Sequence, residues 1–193
     1  MSKYTKIINK LDNKLKKVEA DPLSDTIIRK YLKNPKIILY EDLKNYKNIN
    51  ELLPNKKDYV IILFKQDNQG NNHWIGLLKY DNIIEHFCSY GSKPDEYYFD
   101  WTTQNDLDKA GEYQPYLTQL LNKCSNEIIY SSKDYQKDKN NISTCGRHIV
   151  NRCMHLLNHN NNINNYYNYM NKIKRKSGLD YDEIVSAIIN DLD

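Results

Sequence analysis

Residues 58–64, DYVIILF, constrain the fold more than any other stretch of the chain. A near-continuous apolar run of strand length belongs to a strand covered on both faces. Two further strand-like runs follow, HWIGLLKY at 73–80 and NIIEHFCSYG at 82–91, around Asp81 and Asn82, residues that favour a turn. EIIYSS at 127–132 reads as another strand, and KIILY at 36–40 as a short extended piece.

The flanking sequence has helical spacing. From Lys3 to Glu19, Ile7, Ile8, Leu11, Leu15 and Val18 share one side and lysines the other. Ser24 is a good N-cap for a helix to about Leu32, stopped by Pro35, and EDLKNYKNINELLP gives one or two short helices ending at Pro54. YQPYLTQLLNKC (113–124) and TCGRHIVNRCMHLL (144–157) are also helical. An Asn-rich stretch, 158–168, leads into a helix containing YMNKIKRK, and DYDEIVSAII forms a last helix capped by Asp180. The order of helices, central sheet and helices predicts an α+β fold in a single domain, 1–193. Within it, 3–19 is an extension, about 23–157 the core, and 162–192 the C-terminal helices.

Composition excludes some functions. A net charge of +3, from 28 basic and 25 acidic residues, is too balanced to announce a nucleic-acid binder. MSKYTKIINK has no apolar leader region and no run approaches a membrane span, so a cytosolic protein with no membrane partner is expected. KIKRK (172–176) reads as a solvated helix end before it reads as a site for nucleic acid or an acidic peptide. The abundance of Asn, Lys, Ile and Tyr points to an AT-rich coding sequence. The four cysteines, 88, 124, 145 and 153, read as free thiols: on one helix, Cys145 and Cys153 stand roughly 12 Å apart, beyond disulfide reach.

STCGRH (143–148) is the chemically pointed stretch. With Ser143 or Thr144 as cap, Cys145 falls in a first helical turn, where free N–H groups and the macrodipole favour a thiolate. Gly146 leaves space beside the sulfur for a substrate carbonyl. Cys153 lies on the core stripe and is expected to be inert. A nucleophilic thiol needs a base, and of five histidines His73 opens a strand, His148 can reach back from one turn along, and His155 and His159 read as surface residues. No Cys-x-x-Cys pair is present, so a zinc site is not expected.

NNHWIGLLKYDNIIEHFCSYGSKPDE followed by YQKDKNNISTCGRHIVNR resembles the adenain-like and Ulp1-like cysteine proteases, above all those of double-stranded DNA viruses, virophages and polinton-type elements. The resemblance runs from about Leu23 to Arg152 and rests on the ordered set: His-Trp at a strand start, a Ser-Tyr-Gly segment, a Gln, and Cys-Gly opening a helix. It implies a papain-like arrangement, a central mixed β-sheet flanked by helices with the nucleophile at the N-terminus of a central helix.

The resemblance makes Cys145 the nucleophile, His73 the general base and Gln136 the side-chain donor of the oxyanion hole, with Trp74 lining the region beside His73. Cys88 occupies the position where the family carries Asp, Glu or Asn. Pairing Tyr80 with Ile83 sets Cys88 diagonally beside His73 on one sheet face, with Glu85 on the other. The activity implied is peptide hydrolysis through a thioester, with no metal or organic cofactor. The substrate implied is a viral capsid or virion precursor cut at Gly-containing sites, in the host cytoplasm or viral factory and in the virion. Some relatives take a DNA or peptide activator. Two other readings belong beside it: an Ulp1-like isopeptidase that removes ubiquitin-like modifiers, and a decayed protease fold that serves as a binding module.

Overall fold

The computed structural model describes residues 3–65, 72–96, 103–112, 114–159 and 162–190, with the side chains of 3–11 and of 159 outside that description. The expected stripe residues Ile7, Ile8 and Leu11, the side chain of His159, the start of the 113–124 helix and the end of the 162–192 segment therefore lie outside the described residues.

The chain is an α+β protein built on one five-stranded mixed sheet flanked by helices. Its helices are α1 (Lys3–Ala20), α2 (Asp25–Tyr31), α3 (Ile49–Leu52), α4 (Gln104–Ala110), α5 (Tyr116–Leu121), α6 (Cys145–His159), α7 (Ile163–Ser177) and α8 (Tyr181–Ile188). A 3-10 helix, Tyr40–Asn45, follows the first strand. The strands β1 (Lys36–Leu39), β2 (Asp58–Lys65), β3 (Asn72–Tyr80), β4 (Ile83–Phe87) and β5 (Glu127–Tyr130) lie in sequence order across the sheet. β1 and β5 run parallel to their neighbours, while β2, β3 and β4 are antiparallel.

The register follows the hydrophobic pattern. Tyr80 pairs with Ile83 across Asp81 and Asn82, as expected, and Gly76 pairs with Phe87. Alternation then sends Ile61, Trp74, Leu78 and Phe87 to the core under α2, α6, α7 and α8. Val60, Ile62, Ile75, Leu77, Ile84 and Cys88 go to a second core under α3, α4 and α5. DYVIILF thus sits mid-sheet with both faces covered, as its unbroken apolar run requires.

Gly76 decides how close α6 comes. A Cβ there would stand 2.2 Å from Ile149 Cδ1, so the helix packs directly onto β3. That contact fixes the height of Cys145 above the sheet.

Some boundaries differ from expectation. β4 stops at Phe87, short of residue 91, because the chain turns at Cys88, where the Gly91 N–H donates to the Cys88 carbonyl and Gly91 takes φ 73°. β5 ends at Tyr130, and α5 begins only after Pro115. α4 has no counterpart in the sequence reading; it is held by the Thr103 N-cap and by Gly111 in the left-handed conformation, and it buries little beyond Leu107. No helix among the described residues is long and apolar enough to cross a membrane.

Candidate active site

His73, Trp74, Tyr90, Gln136 and Cys145 line one cleft of about 800 Å³. The start of β3, the turn after β4, the loop after β5 and the first residue of α6 carry these side chains, and residues 22–25 with Leu63 of β2 complete the wall. A second recess of about 700 Å³, between α1 and residues 139–142, holds none of these groups.

The His73 ring is 2 % exposed, and its Nε2 lies 3.3 Å from Cys88 Sγ. The diagonal placement of Cys88 read from the strand register is thus the observed contact. Tyr90 packs on the His73 ring, centroids 5.2 Å apart. Burial pushes the imidazole down to about 3, so it is neutral at physiological pH. Burial also pushes the Cys88 thiol up to about 11, against the pull of Tyr90 and Ser92 N–H groups and the Ser92 hydroxyl. Cys88 therefore meets His73 as an uncharged thiol and orients the ring without supplying a countercharge.

Cys145 is 7 % exposed. Its thiol is raised above the ordinary cysteine value by burial, although N–H groups of Trp74, Gly146 and Cys145 and the Arg147 charge pull the other way. This corrects the expected thiolate: desolvation outweighs the helix terminus, and the resting pair is a thiol and a neutral imidazole. Alkylation of Cys145 by iodoacetamide in the ligand-free protein is accordingly expected to climb about tenfold per pH unit through neutrality, since only the thiolate reacts. A rate plateau in the acid range, measured by mass mapping, would instead reveal a thiolate–imidazolium pair.

Gln136 is buried and held at both ends of its amide. Oε1 accepts from Ser89 Oγ at 2.8 Å, and Nε2 donates to the Ile142 carbonyl at 3.3 Å. The Ser89 carbonyl accepts from the N–H groups of Tyr135 and Gln136. The Gln136 amide carries two N–H groups, one of which donates to the Ile142 carbonyl. Ser89 was not singled out in the sequence, although it sits in the CSYG segment that was.

Gly146 does not line the cleft. A Cβ at 146 would stand 2.7 Å from Leu23 Cβ and 3.0 Å from Trp74 Cδ1, so the space assigned to substrate is filled by packing. Trp74 is pinned there by its Nε1–H, which donates to the Leu23 carbonyl at 2.9 Å. Gly146→Ala is expected to cost about 1–3 kcal/mol of stability through overpacking. A urea midpoint equal to that of the parent protein would contradict this packing.

The other histidines are also placed differently. His148 does not turn back to Cys145; its Nε2 lies 3.1 Å from Asp182 Oδ1 in a fully buried contact. Thr144 stands at the cap position, where its carbonyl accepts the His148 N–H at 2.9 Å, and its hydroxyl donates to Asp182. His155, expected at the surface, is buried against Tyr166 and Tyr169. Cys153 is fully buried with its thiol pushed well up, and all four cysteines are free. Glu85, on the face away from His73, pairs with Arg152 of α6. Among the described residues no group of three or more His, Cys, Asp or Glu side chains is placed to hold a metal ion.

Fold and site together define an α+β protein with a Cys-His cleft beside its central sheet. No family model matches the chain. It is 34% identical over 176 residues to uncharacterized protein V9 of Sputnik virophage, a match spanning 90% of this chain and 97% of that protein. The chain belongs to the family of that virophage protein.

Proposed function

We propose that the protein is a cysteine endopeptidase of the adenain-like, Ulp1-like type, with a papain-like arrangement of nucleophile and base. The observation that carries this reading is the convergence of His73, Cys145 and Gln136 on one cleft, with residue 88 against Nε2 of the histidine.

The chemistry starts from a neutral pair. Substrate binding brings the scissile carbonyl to Cys145 Sγ, and His73 takes the thiol proton as the sulfur attacks. With Nε2 facing Cys88, the ring nitrogen for this transfer is Nδ1. The oxyanion is stabilised by the Cys145 N–H and the Gln136 Nε2–H. His73 returns the proton to the leaving amine, and water, deprotonated by the same imidazole, hydrolyses the thioester. Cys88 fixes the ring orientation, the part of a triad's third member that needs no charge.

The substrate we propose, as the protease resemblance implies, is a viral precursor protein cut at Gly-containing sites during virion maturation; the virophage relative supports only the viral setting. A peptidyl-glycine vinyl sulfone, which places its reactive carbon where the scissile carbonyl sits, tests the reading. The adduct is expected on Cys145 alone and is expected to slow by about a hundredfold or more in His73→Ala. Labelling of the half-exposed Cys124 at the same rate as Cys145 would defeat the proposal.

A further inference from the structure

Asp182, in the first turn of α8, is fully buried and touches both segments that carry the oxyanion donors. Its Oδ1 accepts from Thr144 Oγ1 at 2.5 Å and from His148 Nε2 at 3.1 Å, holding the residue before Cys145 and one a turn beyond it. Its Oδ2 accepts from the Lys137 N–H at 3.1 Å, the residue after Gln136. One carboxylate therefore clasps the start of α6 to the end of the Gln136 segment. Of the chain joining them, residues 137–141 are exposed, and its end is tied by the Gln136 Nε2–H to the Ile142 carbonyl and by the Ser143 N–H to the Glu19 carbonyl, so the Asp182 carboxylate is the buried link that reaches both donor segments directly.

We infer that Asp182 is a positioning residue that sets the distance between the Cys145 N–H and the Gln136 amide, a role that rests on the cysteine-peptidase reading. Two acceptor oxygens are needed at one point, and a carboxylate supplies both. Asparagine supplies one. Its NH2 would then face the Lys137 N–H, donor against donor, or else require the Thr144 hydroxyl and the His148 ring to turn from donors into acceptors. Asp182 touches neither reacting atom, so its effect passes through the two donors and appears where an oxyanion forms.

Asp182→Asn in the full chain tests this, with Ile184→Ala, a core substitution in the same helix, as the stability control. With a cleaved peptide as substrate, kcat is expected to fall about a hundredfold, the cost of a small misplacement, with KM unchanged. Affinity for the matching peptide aldehyde, whose adduct carries the same oxyanion, should fall by the same factor. Iodoacetamide alkylation of Cys145, which forms no oxyanion, should not change. Ile184→Ala should lower the melting temperature and leave kcat alone.

The inference is overturned if Asp182→Asn loses no more kcat than the control, or if KM and alkylation fall along with kcat. Should the parent protein cleave no peptide and bind no aldehyde, the peptidase reading fails separately. The clasp is then decided by hydrogen exchange, which must rise together in 137–142 and 144–148 of Asp182→Asn; a rise in neither or in only one contradicts it. Should Asp182→Asn not fold, Thr144→Val removes a single donor and must show a smaller loss in the same kcat and aldehyde readouts, and no loss there contradicts the inference.

Discussion

Replacing His73 with alanine is expected to lower kcat by between about a hundredfold and ten-thousandfold while the protein remains folded. The size of the effect follows from the resting state. With the Cys145 thiol raised by burial and the imidazole held neutral, almost no thiolate is present at pH 7, and attack depends on a base in place. Among the described side chains no other histidine is placed to substitute: His148 is committed to Asp182, His155 lies against Tyr166 and Tyr169, and His86 is fully buried within β4. Steady-state kinetics on a cleaved peptide, with circular dichroism to check folding, measure this. Retention of most of the parent kcat would remove His73 from the mechanism.

The largest effect on stability is expected at Arg152. Its guanidinium is fully buried and grips Glu85 with two hydrogen bonds, of 2.8 and 2.6 Å, while the Tyr80 hydroxyl donates to the same carboxylate at 2.8 Å. The cation also lies 5.2 Å from the Tyr166 ring centroid. Arg152→Ala strands the Glu85 carboxylate in the core beneath α6, at an expected cost of about 3–5 kcal/mol in urea unfolding. Replacing both partners with apolar residues, Arg152→Met with Glu85→Leu, removes the stranded charge and is expected to cost less than Arg152→Ala alone. A double variant that is the less stable of the two would mean that the pair itself, and not the orphaned charge, carries the energy. The pair also matters for the cleft, because it anchors to β4 the helix that begins with Cys145.

How far the sequence reaches depends on the kind of information each feature needs. The strand segments, the Tyr80–Ile83 pairing and the Cys88–His73 contact are legible because a period of two and a short turn determine them locally, whereas the parallel placement of β1 and β5 at the sheet edges has no such local signal. Ser24 and Asp180 act as caps for the same reason; both side chains accept from the N–H three residues on. Trp74 and Gln136 reach the cleft as the family resemblance implies, although neither is marked by spacing. Gly146 is misread because its neighbours, Leu23 and Trp74, come from segments remote in sequence. His155 and Asp182 are polar residues on helical faces whose partners only tertiary packing supplies, so their burial has no periodic signature. α4 escapes because its stability rests on a cap and a glycine at either end and on a single buried leucine. The charge state of Cys145 is hidden for a related reason: a helix start argues for a thiolate, and the opposing desolvation appears only once the thiol's surroundings are known.

We propose that this cleft hydrolyses peptide bonds through Cys145. The most direct test is to incubate a proteome-derived peptide library with the parent protein and with Cys145→Ser, and to sequence the new N-termini by mass spectrometry. Cleavage by the parent at a shared, Gly-containing motif is expected, and none above background by Cys145→Ser. No cleavage by either protein, or the same cleavage by both, would contradict it.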